Sequence, residues 1–377
     1  MSNKAAYFYL IPEEVSRDRY AHNSLVLAEG LRDLGWDIYA NVNYWKAEQS
    51  GEYLFRHDES INASDCQVNV LTYDWLYFIN VIPFELLENT GSIRVYLEDA
   101  GWLKTPGLAP QFRLFDYILK SHYNSSCAYP SNYRPWAFGL TNRIVRECAD
   151  SPSFCDRDNS IVVNFGATHS SRHRLRDTFE KSVYPKLEHV YKLDRSTNSK
   201  KSPPQDSYHK MMWEQTAWRH YPDYYERLKM SKCCSCVGGQ LVPGFPRDAS
   251  ALAGGGRRKQ LSMAFYQTLS RFKSVTPRWN QWESWRWWES LTAGSVSLML
   301  DFEKYGALLP VQPVNWEHYV GLDLDCLDEG IERMLSDDSG LELIAVKGRE
   351  WALKNYSPHA TALRFLDMIG LTYDKQN

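Results

Sequence analysis

No stretch of this 377-residue chain approaches the roughly 18–20 consecutive apolar residues that a bilayer-spanning helix needs, so no anchor of that kind is expected. Nor does it open on a secretory leader. The apolar run in "MSNKAAYFYLIPEEVSRDRY" stops at Pro12 and two glutamates. A cytoplasmic location follows as the expectation, with peripheral membrane contact left open, and the sequons at Asn62 and Asn124 then carry no weight. An excess of one charge is also missing. The 43 Lys and Arg against 46 Asp and Glu leave a formal charge of -3, which gives no reason to expect nucleic acid as a partner. There is no fixed-period repeat. "GGGRRK" matches neither a P-loop nor a dinucleotide fingerprint, and reads as a flexible basic loop. Paired C-x-x-C spacing is absent too. The eight cysteines are scattered except for "CCSC" at Cys233, Cys234 and Cys236, and adjacent residues of a strand face opposite ways, which favours buried thiols over a zinc site.

What is present is enough chain for two domains of about 150–200 residues, with a globular balance of 44% hydrophobic and 24% charged residues. Aromatics are abundant, with 14 Trp and 24 Tyr. The first domain, residues 1–150, begins as strand "AAYFYLI", polar loop and helix "SLVLAEGLRDLG", with Gly35 at the helix end and "WDIYANV" as the next strand. Further strands are expected at "CQVNVLTY", "SIRVYLEDA" and "FDYILKSHYN". "AYPSNYRPWAFGLTNR" reads as loop, followed by a domain boundary near residues 145–160. The second domain, residues 151–355, opens with a strand from Ile161 to Phe165. It continues through a "GATHSS" loop, the "YYERLKMSKCCSCVGG" helix-strand-turn, an insertion spanning about 240–280, and the Trp-rich "WNQWESWRWWESLTAG" before strand "SVSLML". A last helix, within 356–377, is expected to pack back on the first domain.

The densest chemical signal is "WESWRWWESLTAGSVSLMLDFEKYG". On a helix, Arg286, Glu289 and Ala293 share one face. This segment resembles the donor-binding helix of the GT-B glycosyltransferases, R-x-x-E-[AS]-[LW]-x-A-G-x-[VP]. "FGATHSSRHRLR", the helix-S-K-strand-G element and "PVNWEHYVGLDLDCLDEGIERML" are similar to other parts of the same domain, so the resemblance covers most of residues 160–370. It implies an α/β protein of two Rossmann-like domains facing a cleft. The implied activity moves a sugar from a nucleotide diphosphate sugar to an acceptor hydroxyl. By the same resemblance Glu289 accepts hydrogen bonds from the ribose hydroxyls, which suits an acceptor-only carboxylate. Arg286 and Lys232, with the backbones of Gly166, Gly238 and Gly239, meet the diphosphate; with cationic side chains in that role, no metal and no other cofactor are expected. His169 and Arg172 are further donor-side candidates, although Arg172, Arg174 and Arg176 alternate and cannot all face one phosphate.

The acceptor side offers Glu13, Glu14, Asp18 and His22 after the first strand and Glu98 and Asp99 after another. All lie at the edge where open α/β sheets place ligands, and Asp18, His22, Glu98 and Asp99 are the candidates for a catalytic base. Asp323 and Asp325 imitate a metal-binding D-x-D but precede a helix, where acids serve as caps. Two other readings compete: a nucleotide-sugar epimerase on the same fold, and a degenerate relative that binds glycans or scaffolds without catalysis.

Overall fold

The computed structural model describes residues 4–16, 20–88, 91–99, 110–164, 175, 177–195, 202–245, 257–272 and 275–371. Two separate parallel sheets organise them. The first contains β1 (Ala5–Tyr9), β2 (Asp37–Ala40), β3 (Val68–Thr72), β4 (Ile93–Glu98), β5 (Tyr117–Lys120) and β6 (Tyr133–Pro135), in the order β2-β1-β3-β4-β5-β6. All its neighbours pair parallel. The second contains β7 (Asp158–Val162), β8 (Lys192–Asp194), β9 (Ser231–Ser235), β12 (Val296–Leu300) and β13 (Val320–Leu322), again all parallel, ordered β13-β12-β9-β7-β8. A small antiparallel ribbon of β10 (Gln240–Val242) and β11 (Arg278–Asn280) closes the base of the 240–280 insertion, and the helix Arg257–Phe272 lies between its strands in sequence.

Both sheets are buried on two faces, and their strands read accordingly. β3 and β12 are buried at every position. Covered parallel strands lose the alternation of half-exposed ones. The expected opening unit is present: α1 (His22–Asp33) follows β1, and Gly35 takes φ 80° just past its end, a left-handed conformation that glycine adopts without penalty. α2 (Tyr73–Phe78) and α3 (Phe84–Glu88) connect β3 to β4. Sequence reading missed β6, whose Asn- and Pro-rich surroundings look like loop; Pro135 is tolerated because it ends an edge strand. It also missed α4 (Asn142–Glu147), capped by Thr141, whose hydroxyl accepts the Ile144 amide.

The helix Pro358–Met368 lies against α1, where Gly30 is required: a methyl group there would collide with the Pro358 carbonyl. Leu25, Leu31, Phe365 and Leu366 are buried in this contact's cluster, each contributing about 1.5–3 kcal/mol. The two sheets are joined beneath the cleft by polar stitches. Asn124 donates to the carbonyls of Trp279 (3.3 Å) and Tyr305 (2.9 Å), and Leu140 N–H reaches the Tyr356 carbonyl at 2.9 Å. Among the described residues no helix is long and apolar enough to cross a membrane.

Candidate active site

In each sheet the chain leaves the first strand in one direction and returns on the other side. The crevice between β1 and β3, and that between β7 and β9, are therefore topological switch points, where side loops diverge and ligands find room. In the first sheet a cavity sits at this place, lined by Leu10, Ile11, Tyr20, Tyr44, Thr72 and Asp74 among others. In the second sheet, β9 runs directly into Cys236, Val237, Gly238 and Gly239. Gly239 has φ 79°, and a side chain there would strike the carbonyls of Asn280 and Gln281. The Gly238 carbonyl accepts the Trp279 indole N–H at 2.7 Å. The turn is thus packed against 279–281, and both glycines are buried.

The helix Trp285–Thr292 carries Arg286 and Glu289 as anticipated from the pattern, but its surroundings were not. Glu289 is buried, and its Oε1 accepts the Tyr225 hydroxyl at 2.7 Å. Arg143, from α4, lies 3.9 Å from the same oxygen. The Arg143 guanidinium also donates to Tyr225 Oη (2.6 Å), Tyr20 Oη (2.9 Å) and His220 Nδ1 (3.0 Å). One guanidinium thereby ties Tyr20 of the first domain to Tyr225 and Glu289 of the second. Trp285, on the same helix, has ring neighbours in Tyr20 and His22 at 5.6 and 5.9 Å. Trp282 and Trp288 are core residues, the ordinary fate of a tryptophan stripe. Arg286 is half-buried, and its carbonyl accepts the Cys236 thiol at 3.8 Å.

At the end of β4, Asp99 is half-buried, with Oδ1 accepting from the Asn23 amide and from Ser121 Oγ at 3.2 Å. Burial, helped by Asp74 and Glu98, raises its pKa to about 8 against the pull of those hydrogen bonds. Glu98 is fully buried on the strand itself and lies opposite Lys120 of β5. A buried carboxyl of the other domain, which sequence reading missed, feels the charge of Asp99. Glu283 precedes the Trp285–Thr292 helix, and its Oε1 accepts the Phe138 amide (2.5 Å) and the Trp288 indole N–H (2.9 Å). Its backbone N–H donates to His122 Nδ1 at 3.0 Å. Its Oε2 is buried and has no protein partner. Burial lifts its pKa to about 8, and the charge of Asp99 adds to the rise. Burial thus lifts one carboxyl from each domain toward the range where a side chain exchanges protons efficiently.

Three expectations need correction. His22 cannot act as a base. Its Nδ1 accepts the Tyr20 hydroxyl (3.0 Å), its Nε2 reaches the Gly139 carbonyl (3.1 Å), and burial pushes its pKa down to about 3. Lys232 is not placed for a diphosphate: it sits at the start of β9, the opposite end from Gly238, in an ion pair with Asp338 at 3.0 Å. Asp323 and Asp325 do not cap. Both take Lys304 as partner, while the following helix Leu327–Ser336 has no side-chain cap. Asp18, Gly166, His169 and Arg172 lie outside the described residues.

Cys233, Cys234 and Cys236 are buried free thiols. One other group among the described residues has metal-ligand geometry: Glu147, His209 and His220 bring ligand atoms within 4.8 Å of one another. Its hydrogen bonding argues against an ion. Arg143 is a donor only, so His220 Nδ1 must be the acceptor and the ring proton must sit on Nε2. There it is donated to His209 Nδ1, 2.9 Å away, and the lone pair a metal would need is taken.

No protein-family model matches the sequence, and no curated protein sequence matches it either. Solved structures do match, over nearly the whole chain. An alpha-glucosyltransferase in complex with UDP-glucose and DNA containing an abasic site gives a TM-score of 0.52 at 11% identity, covering 97% of this chain and 98% of that one. The glycosyltransferase AviGT4, involved in Avilamycin A biosynthesis, gives 0.54 at 9% identity, covering 98% of each. An alpha-glucosyltransferase in complex with UDP gives 0.53 at 10%, covering 97% and 99%. At such identities the likeness speaks for the fold: the chain has the GT-B architecture, two Rossmann-like domains across a cleft.

Proposed function

We propose that the protein is a glycosyltransferase that takes a sugar from a nucleotide diphosphate sugar and passes it to an acceptor hydroxyl. The observation that carries this reading is the pair of carboxyls Asp99 and Glu283, each with pKa raised to about 8 and one from each half of a GT-B fold, Glu283 feeling the charge of Asp99. The donor lies at the β7–β9 switch point. Glu289 receives the ribose hydroxyls, and Arg286 and the amide edge of Gly238–Gly239 offset the charge that grows on the leaving diphosphate. The acceptor oxygen forms a bond to the anomeric carbon as the bond from that carbon to the phosphate oxygen breaks. Asp99 takes the acceptor's proton. Glu283, with its unpartnered oxygen, holds a hydroxyl of the reacting sugars. Cationic and backbone donors do the work of a metal, so the reaction proceeds without one.

A second reading, a non-catalytic descendant of the fold, draws on one observation: the Glu289 carboxylate is already engaged by Tyr225 and Arg143. Melting the protein with UDP, GDP, ADP and CMP separates the two. A nucleotide at 100 times its dissociation constant stabilises by about 2.7 kcal/mol, and no shift with any of the four would favour the non-catalytic reading. Incubation with the matching nucleotide sugar then tests transfer, and loss of turnover in excess EDTA would refute metal independence. Consumption of the donor without any acceptor would instead point to epimerisation. Similar structures hold DNA, so one assay arm offers duplex DNA with a hydroxymethylated base beside sugar acceptors.

A further inference from the structure

A second cavity lies away from Asp99 and Glu283, where the loop after β2 meets the helix Ser207–Gln215 of the other domain. It measures about 680 Å³, within the range of ligand pockets. Its walls are stitched across the domain boundary. The Lys46 amide donates to Gln215 Oε1 (2.5 Å), Gln215 Nε2 returns a bond to the Lys46 carbonyl (3.0 Å), and the Tyr44 hydroxyl reaches the Gln215 carbonyl (2.8 Å).

The backbone around it is held in a conformation that costs energy. Trp45, Ala217 and Trp218 have φ of 65°, 51° and 63°, the left-handed region that side chains other than glycine rarely enter. The effect of the consecutive pair at 217–218 is to turn Trp218 outward immediately after the helix. Its ring remains 48% exposed and lines the cavity, as does Tyr53 at 40%. Lys46 Nζ sits 4.6 Å over the Tyr53 ring. Formal charge in the lining cancels, with Glu13 and Glu214 against Lys46 and Lys210, and the rest of the polar lining is amide and hydroxyl: Asn43, Gln49, Ser207.

Exposed aromatic faces with neutral hydrogen-bonding groups suit a ligand with apolar C–H faces and a rim of hydroxyls. With no net positive charge in the lining, nothing there favours a polyanion over a neutral ligand. We infer that this cavity binds a neutral oligosaccharide, stacked on Trp218 and Tyr53. Tyr44 stands in the wall between this cavity and the β1–β3 switch point, so a bound glycan lies beside the crevice of the first sheet. Assigning that glycan as the acceptor rests on the proposed transfer reaction; its binding does not.

The test is calorimetric titration of the full-length protein with maltopentaose, cellopentaose and mannopentaose, with a 13-base-pair DNA duplex as the anionic competitor. At least one pentasaccharide binds, and Trp218→Ala and Tyr53→Ala each weaken it about tenfold, the size of one aromatic contact. Trp218→Tyr, which keeps an aromatic face, recovers most of the affinity. The melting shift given by UDP is the same in these variants as in the wild type, which also shows that they fold. Failure of all three sugars to bind, unchanged binding in both alanine variants, or displacement of the sugar by DNA overturns the inference. A pentasaccharide that binds to a protein unmoved by any nucleotide upholds this site and refutes the donor reading instead.

Discussion

Replacing Glu289 with alanine removes the carboxylate that faces Arg143, and the consequences separate a structural role from a ligand-binding one. Arg143 is buried and remains charged at any working pH, so losing its anion leaves an uncompensated guanidinium. Breaking such a pair costs about 3–5 kcal/mol. Glu147, whose acidity reflects the Arg143 charge, still lies nearby and holds the loss toward the lower figure. At about 2 °C per kcal/mol for a chain of this size, Glu289→Ala melts about 6 °C lower. Adding Arg143→Met removes the stranded charge and fills its volume. Tyr20 keeps His22 as a partner, so the double variant regains much of the loss and the two effects are not additive. Differential scanning fluorimetry of the four proteins measures this. The same plates with saturating UDP test the ribose role, because the double variant is folded yet lacks the carboxylate and must show no nucleotide shift. Additive destabilisation would refute the buried-pair argument, and a normal UDP shift in the double variant would refute the assignment of Glu289 to the ribose.

Glu283→Gln keeps an oxygen for the Phe138 amide and Trp288 but exchanges the unpartnered oxygen that holds a sugar hydroxyl for an amide, so turnover should fall about 10- to 100-fold with the UDP melting shift unchanged; equal loss of both would make Glu283 merely structural. With Asp99 as base, kcat/KM rises with pH up to about 8 and then levels, and a profile flat from pH 6 to 9 would remove Asp99 from that role. Stability runs the other way. Asp99, Glu283 and Glu29 have folded pKa values of about 8, 8 and 7, so between about pH 4 and these values the native state holds protons that the unfolded chain has released. Each group then lowers stability as pH rises, by up to about 1.4 kcal/mol per unit, and denaturant melts at pH 5.5 should exceed those at pH 8. Lys232→Met should leave nucleotide shifts and turnover intact and cost at most about 1 kcal/mol, since its Asp338 partner is largely exposed; a tenfold loss of donor affinity would restore Lys232 to the diphosphate.

The parts of this fold legible in the sequence are those where one local rule acts alone. β1, α1 and Gly35 follow from an apolar run, a helical period and a left-handed helix end. Strand order is a matter of long-range pairing, so nothing local reveals that β1 and β7 sit beside the crossovers that open the two crevices. β6 was hidden because its sequence obeys loop rules and is rescued only by lying at an edge.

The site divides along the same line, and two residues show why. Asp99 became a candidate because it follows an obvious strand. Glu283 escaped because an acid just ahead of a helix is already accounted for by the macrodipole, so no anomaly pointed to its burial with one oxygen unpartnered. Arg143 is the reverse case, and its signal was there to be read. It is the second residue of α4 after the Thr141 cap, where a cation opposes the helix dipole and destabilises the first turn. A guanidinium placed against the local field must be compensated by an anion or strong acceptors from elsewhere in the fold. Here those are Glu289, Tyr225, Tyr20 and His220, drawn from both domains. Residues that contradict their local environment are therefore better pointers to this junction than residues that fit it.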